Sequence, residues 1–237
     1  MKINHRCNTG ATPERTVKVY KLTDENLRAY GGFQYVLGIK ATAPGVGRIC
    51  SSGWLHAYED PLLASFFSPT HIHYFHPRLY RAEGKVGIRD GQIKLGCSSL
   101  TLIEEIPLPE INIEQRVEIA IRTVMLVYTE LAWTEWAEDW LNGKDRSKKS
   151  AMKAAEAVEH DWSAMWCIAR GAARAAEVDM TVIGIANDWH LYASAREMMW
   201  ALKAVKEIAA SAVEFSMDQK KDLDVLAIIK QVIGGKE

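Results

Sequence analysis

The 237-residue chain carries 29 basic and 30 acidic residues, a formal net charge of −1, and 48% of it is hydrophobic. That balance excludes a nucleic-acid binder driven by bulk positive charge, and equally an acidic nucleic-acid mimic. The length suffices to bury a core without disulfides or structural metals, so the composition describes a soluble globular protein of one or two domains.

Cys7, Cys50, Cys97 and Cys167 lie too far apart for a zinc knuckle or a dense secreted framework and read as reduced thiols. The opening MKINHRCNTGATPER has no apolar core of signal-peptide length, and no uncharged run reaches the ~18 apolar residues of a membrane span. The expectation is a cytoplasmic protein with no membrane partner.

Composition changes abruptly near residue 110. All seven prolines and eleven of the sixteen glycines precede that point, while the following 127 residues hold no proline and 22 alanines. Proline breaks a helix interior and alanine costs it least, so the second part should be helical. The fold class expected is α+β: a small mixed-strand domain over 1–108, then a helical bundle of about four helices over 109–237, with Pro107-Leu108-Pro109 as a stiff joint.

In chain order, TVKVYKL predicts a first strand, Phe33 to Ile39 a second apolar stretch between glycines, and LYRAEGKVGI and SSLTLIEEI two late strands. Gly84, Gly87, Gly91 and Gly96 read as turns between them, and Gly45-Val46-Gly47 as a turn rather than a dinucleotide fingerprint. Asp60-Pro61 predicts an N-cap and first turn leading into LLASFF. In the second part, Asn112 with Gln115 resembles a capping box, and Asn142-Gly143 a C-cap, which predicts one helix of about 28 residues. A second helix should run from near Ser147 to near Val178, a third segment from Asp179 to about Val213, and a fourth from Ser216 to before Gly234-Gly235.

Seven of the eight tryptophans fall in the helical part. Trp133, Trp136 and Trp140 share one helix face, and Trp162 and Trp166 form a pair on another. One reading is core packing against small alanines. The other is an aromatic partner-binding face built on Trp133, Trp136 and Trp140, with Glu138 and Asp139 as its acidic rim and Glu130 and Glu135 beside it.

His71, His73 and His76 form H-x-H-x-x-H, a weak candidate for a metal site, which resembles the metal-binding run of the metallo-β-lactamase fold. That family has an aspartate just before the last histidine, where this chain has Phe75, so the expectation is that no metal is bound. Glu104 and Glu105 adjoin on a probable strand and so point to opposite faces. Arg78, Arg81, Lys85 and Arg89 around Tyr80 read as strand solvation. No nucleophile elbow or phosphate loop occurs, and no catalytic residue and no cofactor is implied by the residues themselves.

GGFQYVLG, CSSGWLHAYEDPLLASFF, RLYRAEGKV and KLGCSSLTLIEEI together resemble an uncharacterised phage and prophage protein family over about residues 16 to 108. Several of its members carry alanine- and tryptophan-rich helical tails. Gly53, Trp54 and His56 match its turn by position. The resemblance implies a phage or prophage origin and assigns no reaction. The function expected is therefore a non-catalytic accessory protein that binds a host or phage protein, plausibly inhibiting a host defence system; nucleic acid is not the primary partner, and a homo-oligomer stays open. The alternative is an enzyme similar to a degenerate ADP-ribosyltransferase that uses NAD, with His56, Tyr58, Glu104 and Glu105 as its site.

Overall fold

The structure, a computed structural model, describes residues 16–49, 51–67, 74, 76–90, 94–158, 172, 176, 211–212 and 223–234. Five antiparallel strands form one sheet: β1 (Val17–Thr23), β2 (Lys40–Thr42), β3 (Leu55–Ala57), β4 (Arg78–Asp90) and β5 (Lys94–Ile106). The order is β1-β4-β5-β2, and β3 also pairs with β5, beyond β2 along that strand. With five helices among the described residues, the class is α+β.

The sheet curls back on its first strand. Tyr20 of β1 pairs with Arg81 of β4 on one side and bridges Tyr58, just past β3, on the other. The Tyr20 amide donates to the Tyr58 carbonyl at 2.7 Å and the Tyr58 amide returns the bond at 2.8 Å. Three register shifts between β4 and β5 supply the bending that this wrap requires. Inside lie Val19, Tyr35, Leu55, Ala57, Tyr80, Ala82, Leu95, Cys97, Leu100 and Leu102.

Gly84, Gly87 and Gly96 are strand residues rather than turns. A β-carbon would stand 2.8 Å from Cys97 Sγ at Gly84, 2.5 Å from the Trp54 ring at Gly87, and 2.5 Å from Ile88 Cγ2 at Gly96. Those glycines are there because neighbouring side chains occupy the space. Trp54, whose indole N–H donates to the Gly47 carbonyl at 2.9 Å, lies across Gly87 and Gly96. Phe33 to Ile39 is not a strand either; only Lys40–Thr42 pairs regularly.

Helix α1 (Pro61–Phe67) starts as expected, with Asp60 Oδ1 accepting from the Leu62 amide at 2.9 Å. The N-terminus of α2 (Ile113–Met125) carries a true capping box: Asn112 Oδ1 accepts from the Gln115 amide at 2.8 Å and Gln115 Oε1 from the Asn112 amide at 2.9 Å. The helix does not run on to Asn142. It stops at Leu126, and α3 (Leu131–Leu141) begins after Glu130. Val127-Tyr128-Thr129, two β-branched residues around an aromatic, favour a break. Val127 is buried there, and the Tyr128 ring stands edge-on to Trp133 at 5.6 Å.

Gly143, at φ 71°, closes α3, its amide donating to the Trp140 carbonyl and the Lys144 amide to the Asp139 carbonyl. Helix α4 (Lys148–Ala157) is capped by Ser147 Oγ and ends at Ala157, where Val158 is extended; the expected continuation to Val178 does not form at that point. The segment expected over 179–213 lies almost wholly outside the described residues. The last helix, α5 (Val225–Gly234), starts from Asp224, whose carboxylate accepts from the Ala227 amide at 2.9 Å, and not from Ser216. No helix among the described residues is long and apolar enough to cross a membrane.

Two cores flank β1. Its odd-numbered side faces the wrapped sheet, while Leu22 on the other side packs with Ala64 of α1 and with Leu79. The opposite face of α1, with Leu63, Phe66 and Phe67, joins α2, α3, α4 and α5 in the larger core.

Candidate functional site

Surface chemistry concentrates after β1. Among the described residues, nine large hydrophobic side chains are exposed, and five of them, Phe33, Val36, Leu37, Ile39 and Val46, lie in the glycine-punctuated stretch before β3. Val36 to Ile39 form a β-turn: the Ile39 amide donates to the Val36 carbonyl at 3.1 Å, and Gly38 in third place has φ 75°, as type II geometry requires. Turn tips ordinarily carry Asn, Asp, Ser or Pro. Here Val36, Leu37 and Ile39 are 56%, 50% and 61% exposed.

The turn is held from below. Tyr35, 2% exposed, plugs the wrapped sheet, and Phe33 packs edge-on to its ring at 4.9 Å. The Tyr35 amide donates to the Leu27 carbonyl at 2.9 Å, and Gln34 Nε2 donates to the Asn26 and Tyr35 carbonyls, each at 2.9 Å. Leu27, in the left-handed region at φ 61°, sits within this same network. Asp24 Oδ1 accepts from the Asn26 and Arg28 amides at 2.8 and 2.7 Å. The apolar tip thus projects from a fixed base.

Beneath Tyr35 lies a buried lysine. Lys21 Nζ donates to the His56 carbonyl at 2.8 Å and stands 5.6 Å from the centre of the Tyr35 ring. Burial lowers its pKa from 10.5 to about 8, opposed by the nearby Cys97, and burial pushes the Cys97 thiol up to about 11. Burial likewise drives the Tyr35 and Tyr58 phenols well above their usual range. With only 7% of its surface exposed, Lys21 has no approach for a substrate; its amine holds β1 against β3.

The residues of the NAD reading do not converge. The His56 ring donates from Nε2 to the Ile49 carbonyl, which occupies that nitrogen's proton. Tyr58 is committed through its backbone to Tyr20. His56 stands opposite Gly96, whereas Glu104 lies on the order of 25 Å further along β5. Arg81 Nε donates to Glu104 at 2.6 Å, which lowers that carboxyl's pKa, while Glu105 accepts from Arg78 at 3.3 Å and from the Tyr80 hydroxyl at 3.2 Å. The two glutamates do face opposite ways. Of the histidine run, His71 and His73 lie outside the described residues and His76 is exposed just before β4. No metal-ligating cluster occurs among the described residues.

The aromatic stripe on α3 is interior. Trp133, Trp136 and Trp140 are 1%, 7% and 0% exposed, so they do not present a partner-binding face. They are buried because Ala137, Ala151, Ala154 and Ala155 let neighbouring helices approach closely enough for indoles to fill the remaining space. Arg146 lies 4.5 Å from the Trp140 ring, fixed by Glu114 at 2.6 Å and by the Trp140 carbonyl at 2.8 Å. Of the acidic rim, Glu138 is exposed and Asp139 accepts from Lys144 Nζ at 2.9 and 3.1 Å. Trp162 and Trp166 lie outside the described residues.

The exposed turn was missed by sequence reasoning, although a signal existed. In FQYVLGI, Val36 and Leu37 are adjacent apolar residues, which breaks the alternation of a half-buried strand, and Gly38 sits where a type II turn needs it.

A wrapped antiparallel sheet, backed by one short helix and bearing an apolar turn, is the unit that the geometry defines. Residues 17–114, from the start of β1 to the first turn of α2, match a family model described as Domain of unknown function (DUF7666). No curated protein and no solved structure matches the chain.

Proposed function

We propose that the protein works without catalysis, by binding another protein through the apolar turn Val36–Ile39 and its neighbours Phe33 and Val46. The supporting observation is an energetic anomaly: three large aliphatic side chains stand at least half exposed on a turn whose base is locked by Tyr35 and Gln34. Scattered exposed apolar residues are ordinary, but a contiguous set on a rigid projection is what interface centres are made of. The tryptophan face of α3, buried in the helical core, is left out of this reading. An accessory role in a phage or prophage, with a host defence protein as the partner, rests on the sequence resemblance alone.

Affinity purification from the producing cell tests the proposal, with Leu37→Asp and Ile39→Asp as controls. Both positions are exposed, so each variant should keep its stability within about 0.5 kcal/mol, which a denaturant melt checks. One protein recovered in stoichiometric amount by the native chain and lost with both variants is the expected result. Equal recovery with all three chains would remove the turn from the interface. Release of nicotinamide from NAD by the purified chain would instead restore the enzyme.

A further inference from the structure

The exposed turn leads directly into the edge of the sheet. The strand order ends at β2, where Thr42 stands opposite Ser99, and the Ala43 amide donates to the Ser98 carbonyl at 2.9 Å. Hydrogen-bonded and non-bonded positions alternate along an antiparallel pair, so the Thr42 N–H and C=O point away from β5, out of the sheet edge. Thr42 is itself exposed. Ala41 and Ala43 pack inward, which leaves the backbone of β2 accessible beside the apolar turn.

The charge around this edge has one sign. Between Glu25 and Glu59 the chain contains no acidic residue, but it contains Arg28, Lys40 and Arg48. Arg28 lies at the base of the turn, where its Nε donates to Gln34 Oε1 at 3.2 Å; Lys40 is in β2; Arg48 is exposed in the loop beyond it. A second copy of the chain would bring the same cations face to face across a paired edge, and an edge lysine is a common guard against such self-pairing. The chain's opening MKINHRCNTGATPER is also net basic and is no better matched. An acidic partner is the one that the field favours.

We propose that β2 is extended by a strand from another protein, a proline-free segment whose apolar side chains pack on Leu37 and Ile39 and whose flanking acidic residues meet Arg28, Lys40 and Arg48. This deepens, and rests on, the reading of the turn as a binding surface. The Thr42 N–H and C=O supply main-chain bonds, the turn supplies apolar contact, and the cations choose the partner.

Random twelve-residue peptides displayed and panned on the full chain test this. The enriched peptides should lack proline and carry acidic flanks, and their affinity should fall at least about tenfold on Thr42→Pro, on Leu37→Asp, and on N-methylation of alternate peptide amides. Thr42→Pro removes only an outward-facing amide, and the N-methylated peptide poses the same question to an unaltered protein. Binding that is lost with Leu37→Asp but indifferent to N-methylation and Thr42→Pro would overturn strand addition while the apolar surface stands. Binding that is indifferent to all three changes would overturn both readings. Enrichment of basic-flanked peptides, or of none above a scrambled control, would overturn the strand proposal.

Discussion

Lys21 shows how a single residue sets a measurable property of the fold. Its folded pKa of about 8 lies below its ordinary 10.5, so between those values the unfolded chain binds the proton and the folded chain does not. Stability therefore rises with pH across that window, in total by about 3 kcal/mol for this group, and is indifferent to it below pH 8, where both states are charged. Cys97 acts in the opposite sense. Its thiol, raised from 9.0 to about 11, stays protonated in the fold while the unfolded thiol ionises, so its contribution falls as pH climbs from 9 to 11. Tyr74, raised by burial to about 12, joins Tyr35 and Tyr58 in that fall above pH 10. The expected profile climbs between pH 8 and 9, then flattens and declines. Urea midpoints measured at half-unit steps should trace it, and Lys21→Met should abolish the climb while leaving the decline. A climb that persists in Lys21→Met would mean that another group is responsible.

At the scale of elements, Arg116 does for α1 what no residue of α1 can do for itself. The last carbonyls of a helix lack partners within it. Arg116, reaching across from α2, donates to the Phe66 carbonyl at 2.9 Å and the Ser65 carbonyl at 3.0 Å, and its Nε donates to the Ile111 carbonyl at 2.9 Å. Burial lowers its pKa to about 10, which still leaves the guanidinium charged at neutral pH. Arg116→Ala should cost about 2 to 4 kcal/mol by stranding two buried carbonyls, and Arg116→Lys, which cannot fork, should recover only part of that, as chemical denaturation would show. Equal stability of all three chains would remove Arg116 from the account. Arg116 also marks the limit of what was legible in the sequence. Local signals came through: the Asp60 and Asn112 caps, the Gly143 stop, and the alternation of β1, β4 and β5 are each written within a few residues. Features made by distant partners did not. Gly84 and Gly96 look like turn glycines until Cys97 and Ile88 are seen filling their space. The tryptophan stripe of α3 has the same spacing whether it faces solvent or core, and only the packing of the neighbouring helices decides. The break at Val127 to Thr129 was readable from propensity but was outweighed by a long apolar periodicity, and the apolar turn was hidden because its composition is that of a strand.

The whole molecule is held together through α1, whose two faces serve different cores. Ala64 packs on the sheet beside Leu22 and Leu79, whereas Leu63, Phe66 and Phe67 belong to the helical core. Three further ties cross the same junction: the Ser65 hydroxyl donates to the Pro109 carbonyl, Arg116 holds the end of α1, and Asp60 pairs with Lys230 of α5 at 3.3 Å. The composition boundary near residue 108 is therefore not a free linker, since Pro109 is bonded back to the helix that precedes it. A chain cut there would leave the sheet with a helix exposing two phenylalanines and a leucine, each worth roughly 1.5 to 3 kcal/mol of lost burial. The two parts are thus expected to unfold in one calorimetric transition, with van't Hoff and calorimetric enthalpies in agreement. Phe66→Ala tests the coupling directly. It should lower the single transition as a whole, by about 3 to 5 kcal/mol of stability, because the ring lies in the helical core while its backbone belongs to the helix seated on the sheet. Two resolved transitions in the native chain, with Phe66→Ala shifting only one of them, would show the junction to be weaker than its bonds suggest and the two parts to be independent.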